Sequence, residues 1–465
     1  MLYQVREMQR ALLNPLSNWA DSVSKLYANP YSPFSYMPMA RRYAAGLELL
    51  HRLGKDYDKP AWGLESTLVD GVEVPVFERV ETVKPFCRLL KFERILPDSM
   101  ATRQRDPSVL IVAPLSGHHA TLLRDTVRAM LPAHEVYVTD WLDARMVPLT
   151  AGPFHLDDYV DYIIQFIRRL GPDLHVISVC QPTVPVLAAF SILSTLEDEA
   201  IPRSMTMMGG PIDSRRSPTE VNNLAETHSI QWFEKNLIHE VPNKYPGAGR
   251  RVYPGFLQHT GFVAMNPDRH FRSHWDFYKD LVRGDLEDVD SHIKFYDEYN
   301  AVLDLPAEYY LETVEKVFQE HLLPLGSWDV VFEGHTIRVA PEDITVPSLL
   351  TIEGELDDIS GSGQTEAAQD LCRNIPESRR HHLTVEGAGH YGIFSGRRWR
   401  ETIQPRIARF IRESIAAAPT QSPAHSPAHS PAQATVQSAA QSSVQSAAEK
   451  TPAAPTKTRV RRVSA

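Results

Sequence analysis

The chain has 465 residues, 43% of them hydrophobic, and a formal net charge of −10, so it can bury one large core or two moderate ones. The acidic balance argues against a nucleic-acid-binding body, and no window approaches the roughly 18 apolar residues of a membrane span. Three cysteines, Cys87, Cys180 and Cys372, lie far apart without CxxC spacing, which suggests neither a disulfide framework nor a zinc site.

From Met1 to about Gly54 the pattern is helical, broken by the aromatic and proline-rich stretch YSPFSYMPM. Residues 1–66 are expected to form a helical arm that either packs on the main body or meets an apolar partner. Arg6, Glu7, Arg10 and Asn14 interrupt the first apolar residues, so no secretory h-region is expected and a reducing, cytoplasmic setting fits. Residues 67–97 look like antiparallel strands, with Asp70-Gly71 as a turn inside VDGVEVPVF.

Beyond this point short apolar strands alternate with amphipathic helices. The strands expected are Val109 to Val112, Val136 to Thr139, Leu174 to Val179, Met205 to Met208, Pro347 to Ile352 and His382 to Val385. Between them, Asp157 to Leu170 places Val160, Ile163, Ile164 and Ile167 on one helical face. This alternation predicts an α/β fold with a mostly parallel sheet covered by helices on both faces, its two parts at 67–212 and 326–415.

Residues 213–325 interrupt the alternation and hold Trp232, Phe233, Phe256, Phe262, Trp275 and Phe295 among their aromatics. A helical cap over the C-terminal edge of the sheet is expected there, with most of the aromatics serving packing and a few reaching a ligand. Residues 416–465 turn to Ser-Pro-Ala-His repeats and Ala/Gln/Ser bias, a composition expected to be disordered. Their end sets Lys450, Lys457, Arg459, Arg461 and Arg462 against Glu449 alone, a basic tail.

The stretch HVISVCQPTVPVLAAF reads as a buried strand running into a helix, with Cys180 at the turn. A nucleophile elbow demands small neighbours two positions either side; Ser178 meets this, and Pro182 suits a first helical turn where glycine is usual. A thiolate there gains from the helix dipole and free N–H groups. Cysteine is also a common core residue, so the stretch alone does not assign chemistry. Downstream, VPSLLTIEG runs into Glu355-Leu356-Asp357-Asp358, and HHLTVEG into Ala388-Gly389-His390. Nucleophile, acid and histidine then follow in hydrolase chain order, each after a strand. Asp357 is the expected acid, with Asp358 the alternative. The oxyanion donors are expected at the backbone of Gln181 and of Leu115 or Ser116, after the strand VLIVAP. Adjacent His118 and His119 lack the spacing of a metal site, and the glycines of MMGGPID lack any nucleotide-binding spacing, so neither metal nor cofactor is expected.

With cysteine as nucleophile, VCQP, MGGPID, GELDDISGSGQT and GAGHYGIFSGRRWR, together with MLYQVREMQRALLNPL, make the chain resemble the intracellular poly(3-hydroxybutyrate) depolymerases, relatives of the polyhydroxyalkanoate synthases in the α/β-hydrolase fold. The resemblance covers roughly residues 1–415 and places the family's cysteine, aspartate and histidine on Cys180, Asp357 and His390. It implies a cytoplasmic protein on polyester granules that hydrolyses the polymer through an acyl-thioester, with coenzyme A conceivable as an alternative acceptor. Ser178 and Pro182 depart from the glycine-flanked cysteine box of the synthases. A synthase and a non-catalytic granule protein on the same scaffold are the competing expectations. Nothing in the residues sets an oligomeric state.

Overall fold

The computed structural model describes residues 2–265 and 267–416; the expected disordered, basic tail lies outside the described residues. The chain opens on two helices, α1 (Leu2–Ala28) and α2 (Ala40–Gly54), which pack on each other. They rest on the insert: Tyr3 donates to the buried Asp304 carboxylate at 2.8 Å, and Arg52 and Lys55 both reach Asp297 at 3.0 Å.

An antiparallel run follows, β1 (Ser66–Val69), β2 (Val72–Val83) and β3 (Cys87–Arg94). Asp70 and Gly71 both take positive φ, 48° and 82°, in the two-residue turn between β1 and β2, the backbone that a right-twisted hairpin favours. The core strands are β4 (Ser108–Val112), β5 (Glu135–Trp141), β6 (Leu174–Val179) and β7 (Ser204–Met208), alternating with helices α3 (Arg124–Met130), α4 (Leu156–Leu170) and α5 (Thr183–Thr195). Strands β6 and β7 are buried along their whole length, as the near-continuous apolar runs of a parallel sheet covered on both sides require.

Among the described residues the insert carries six α-helices, α6 (Glu220–Thr227), α7 (Ile230–Leu237), α8 (Gly255–Met265), α9 (Pro267–Arg283), α10 (Leu286–Tyr299) and α11 (Ala307–Thr313), the last continued by the helical turn Val314–Gln319. It also holds a small antiparallel sheet that the sequence did not signal, of β8 (His239–Glu240), β9 (Arg251–Tyr253) and β10 (Leu305–Pro306). Strands of two or three residues show no periodicity. A hairpin of β11 (Asp329–Phe332) and β12 (His335–Arg338) follows, turning at Glu333-Gly334, both with positive φ. The chain then returns to the main sheet as β13 (Ser348–Gly354) and β14 (Arg380–Val385).

The main sheet has nine strands in the order β1-β2-β3-β5-β4-β6-β7-β13-β14, parallel from β5 to β14 and antiparallel from β1 to β5. Helices α4 and α5 pack together over it, and the last helix, Gln404–Ala416, packs with α3 against β7 and β13. This is the α/β-hydrolase architecture, with the insert placed between β7 and β13. Among the described residues no helix is long and apolar enough to cross a membrane.

Two glycines behave oppositely toward an added methyl group. A Cβ on Gly210, just past β7, would run into the Thr183 side chain and the Cys180 carbonyl, whereas one on Gly46 in α2 would meet nothing within 4 Å. In urea unfolding, Gly210→Ala should therefore destabilise the chain by roughly 1–3 kcal/mol. Gly46→Ala, in a helix interior, should stabilise it by about 0.5–1 kcal/mol.

Candidate active site

Strand β6 ends at Val179 and helix α5 begins at Thr183, leaving Cys180, Gln181 and Pro182 to make the turn. Cys180 takes φ +69°, in the left-handed region, which a side chain occupies only where its surroundings enforce it. The enforcement comes from both sides. The Cys180 N–H donates to the Met208 carbonyl of β7 at 2.7 Å, and the Thr183 N–H donates back to the Cys180 carbonyl at 3.1 Å. Pro182 sits at φ −57° and ψ −16°, already helical, the use of proline anticipated for this position. Gly209 and Gly210 let the next strand end approach; a side chain at Gly209 would touch Ile393, the Asp357 carboxylate and the His390 ring. The glycines of MGGPID thus make room for the site.

Cysteine burial separates the three thiols. Cys87 and Cys372 are buried, and burial pushes both pKa values up, Cys372 to about 12. Cys180 alone is partly open and lines a cavity.

The acid loop follows β13. One oxygen of Asp357 accepts the backbone N–H groups of Ile359 and Ser360, each at 2.9 Å, and the other faces His390 Nδ1 at 2.8 Å. The first pair fixes the carboxylate; the second sets the ring so that Nδ1–H donates and Nε2 is left for Cys180. Asp358, the alternative acid, is exposed. Farther back, the buried Glu353 accepts from the N–H groups of Gly363, Thr365 and Glu366 at 2.7–2.9 Å, tying the rest of this loop to β13. Burial opposes a charge on His390, but Cys180 and Asp357 outweigh it through their charges and hydrogen bonds, holding the ring well above its ordinary 6.5. Cys180, Asp357 and His390 are therefore one cluster, assembled from the C-terminal ends of β6, β13 and β14.

The cavity above the cluster is lined by Leu115, Ser116 and Gln181, the expected oxyanion positions, and by His118. His118 donates Nε2–H to the Tyr299 carbonyl at 3.1 Å and has its pKa lowered by burial to about 4; His119 does not line the cavity. Among the described residues, Glu353, Glu366 and His382 are close enough to hold a metal ion; Glu353 already accepts three backbone N–H groups. Of the aromatics noted in the insert, Phe233 and Phe262 reach the cavity. Tyr309, Tyr310 and Phe318 reach it too, and the sequence did not single them out. Tyr309 and Tyr310 lie in α11 and Phe318 in the helical turn Val314–Gln319 that follows it, where helical spacing pointed equally to packing.

Residues 209–415 match the protein family described as PHB de-polymerase C-terminus. The protein is a carboxylic ester hydrolase. No curated protein matches the chain. Among solved structures, a monoacylglycerol lipase from Paleococcus ferrophilus is similar at 13% identity and a TM-score of 0.38, over 66% of this chain and 94% of that one. A meta-cleavage product hydrolase from Pseudomonas fluorescens is similar at 16% identity and a TM-score of 0.37, over 75% and 97%.

The raised pKa of His390 predicts a pH dependence of stability. The folded chain holds a proton that the unfolded chain releases near pH 6.5, so this contribution is full below that pH and is lost as pH rises through the folded value. Asp357→Asn should lower the His390 pKa and flatten that part of the profile, followed by imidazole NMR titration and by unfolding at several pH values.

Proposed function

We propose that the protein is an intracellular depolymerase of amorphous poly(3-hydroxybutyrate) or related polyhydroxyalkanoate, acting at the surface of polyester granules. The observation that carries this reading is the cluster of Cys180, His390 and Asp357 beneath an apolar cavity, in a chain whose segment 209–415 matches the family described as PHB de-polymerase C-terminus. Cys180 Sγ, its proton held by His390, attacks an ester carbonyl carbon. The negative charge that gathers on the carbonyl oxygen is met by the backbone N–H of Gln181 and one from Leu115 or Ser116. As the tetrahedral adduct collapses, the ester C–O bond breaks and His390 gives its proton to the departing alkoxide. An acyl-thioester on Cys180 and a hydroxyl-ended product result. Water, deprotonated by His390, then attacks the thioester and expels the thiolate, releasing 3-hydroxybutyrate or an oligomer. Coenzyme A, itself a thiol, would take the place of water in a thiolytic variant of the second step.

The outer face of the arm supports work on an insoluble apolar surface. Val5, Met8, Leu12, Leu16 and Trp19 recur every three or four residues along α1, yet each is at least 45% exposed. The face that α1 buries holds Tyr3, Ser17, Ala20 and Ser24 instead. An apolar stripe turned outward is costly in water and favourable on a hydrophobic surface.

The test is release of soluble 3-hydroxybutyrate from native amorphous granules, with and without coenzyme A. Wild type should release product, and Cys180→Ala and His390→Gln should each lose it by roughly 10³-fold or more while still sedimenting with granules. Polymer growth from 3-hydroxybutyryl-coenzyme A would favour a synthase instead, and full activity in Cys180→Ala would contradict the mechanism.

A further inference from the structure

Beside Cys180 the cavity wall contains polar groups with no partner. Gln181 and Tyr309 both line the cavity and are only 7% and 1% exposed. Among the described residues neither the side-chain amide of Gln181 nor the Tyr309 hydroxyl makes a hydrogen bond. The two are neighbours: burial raises the hydroxyl's pKa, and the side chains of Thr313, Cys180 and Gln181 act on it, although no contact between the amide and the hydroxyl meets hydrogen-bond geometry. Ser360, on the acid loop, adds a third unpartnered hydroxyl to the same lining.

Unmet buried polar groups are expensive, and native chains keep few of them. Tyr309 is also held in place rather than free to turn away, because its ring stacks on Tyr159 at 5.7 Å and 14° and lies against Phe154 at 5.8 Å. The elbow fixes the backbone of Gln181, and its side chain is buried. The two side chains therefore belong to a mostly apolar lining next to the reacting sulfur.

We propose that Gln181, through its side-chain amide, and Tyr309, through its hydroxyl, form a subsite for the ester carbonyl of the unit adjoining the one that Cys180 attacks. The proposal rests on the polyester reading above and assigns it a specificity device. A polyester backbone carries an acceptor carbonyl in every repeat and no donor between its ends, so a phenol O–H and an amide N–H are the complementary pair. A monoester offers no second carbonyl and leaves both donors unmet. Sites built to hydrogen-bond a substrate group discriminate strongly against analogues lacking it, and binding at a remote carbonyl helps to align the scissile one.

Tyr309→Phe and Gln181→Leu test this, the latter keeping the backbone N–H at 181. The quantity read is the ratio of kcat/KM for a 3-hydroxybutyrate trimer to kcat/KM for a simple butyrate ester, together with the Tm of the free protein. Each substitution should lower the ratio by about 10-fold or more, and Tm should hold or rise, because an unpaired buried polar group has been removed. An unchanged ratio, or a Tm that falls by several degrees, would overturn the subsite, the second outcome marking a structural role. Wild type active on the trimer with unchanged ratios in both variants sinks the subsite alone. Wild type that cleaves the simple ester and leaves the trimer intact sinks the polyester reading and the subsite with it.

Discussion

The backbone of Cys180 is the constraint around which the rest of the site is arranged. A side chain at φ +69° costs of order 1 kcal/mol or more relative to an ordinary conformation. It persists because an immovable strand precedes it and an immovable helix follows. Every residue of β6 is buried, as is every residue of α5 from Thr183 to Leu193. The bond from the Cys180 N–H to Met208 ties the turn to β7. The tight approach of β7 needs glycine at 210, where a Cβ would occupy the space of Thr183 and of the Cys180 carbonyl. Strain at one residue is thus secured by packing spread over two strands and a helix, and its effect is to lift Sγ out of the core into the cavity.

Asp357 and His390 reach that sulfur because β13 and β14 run parallel to β6 in one sheet, so that their C-terminal ends lie along one edge. Within the loops, order is enforced by backbone donors rather than by ion pairs. Glu353 holds residues 363–366, and Asp357 gives one oxygen to residues 359 and 360 before offering the other to His390. Carboxylates satisfied by N–H groups keep a fixed geometry. The charge on His390 is then governed by the two groups meant to meet it, Cys180 and Asp357.

Much of this was legible in the sequence for a physical reason. Strands that must be buried on both faces are written as short apolar runs, and β4, β6, β7 and β13 were readable as such. A turn that must lift a nucleophile leaves small residues and a helix start around it, and Ser178 and Pro182 are of that kind. The order of Cys180, Asp357 and His390 carried more than any one of them, since cysteine alone reads equally well as core. Asp357 and Asp358 were not separable with certainty because adjacent carboxylates on a turn differ only in where the backbone points them. Other features depend on long-range packing that no local pattern encodes. Tyr309 reaches the cavity from α11, 129 positions after Cys180 in the numbering, and its hydroxyl has meaning only beside Gln181. The outward turn of the α1 stripe was one of two expectations left open for the arm, since an apolar helix face implies either burial or an apolar partner. The two-residue strands of the insert are too short to show any period.

The account stands on covalent chemistry at Cys180, and the most direct measurement is capture of the intermediate. Enzyme mixed with a 3-hydroxybutyrate oligomer, quenched in acid within a turnover and mapped by peptide mass spectrometry, should carry a hydroxylamine-labile 3-hydroxybutyryl group on the peptide containing Cys180. An acyl group found on another residue, in an enzyme that still turns over as Cys180→Ala, would contradict it.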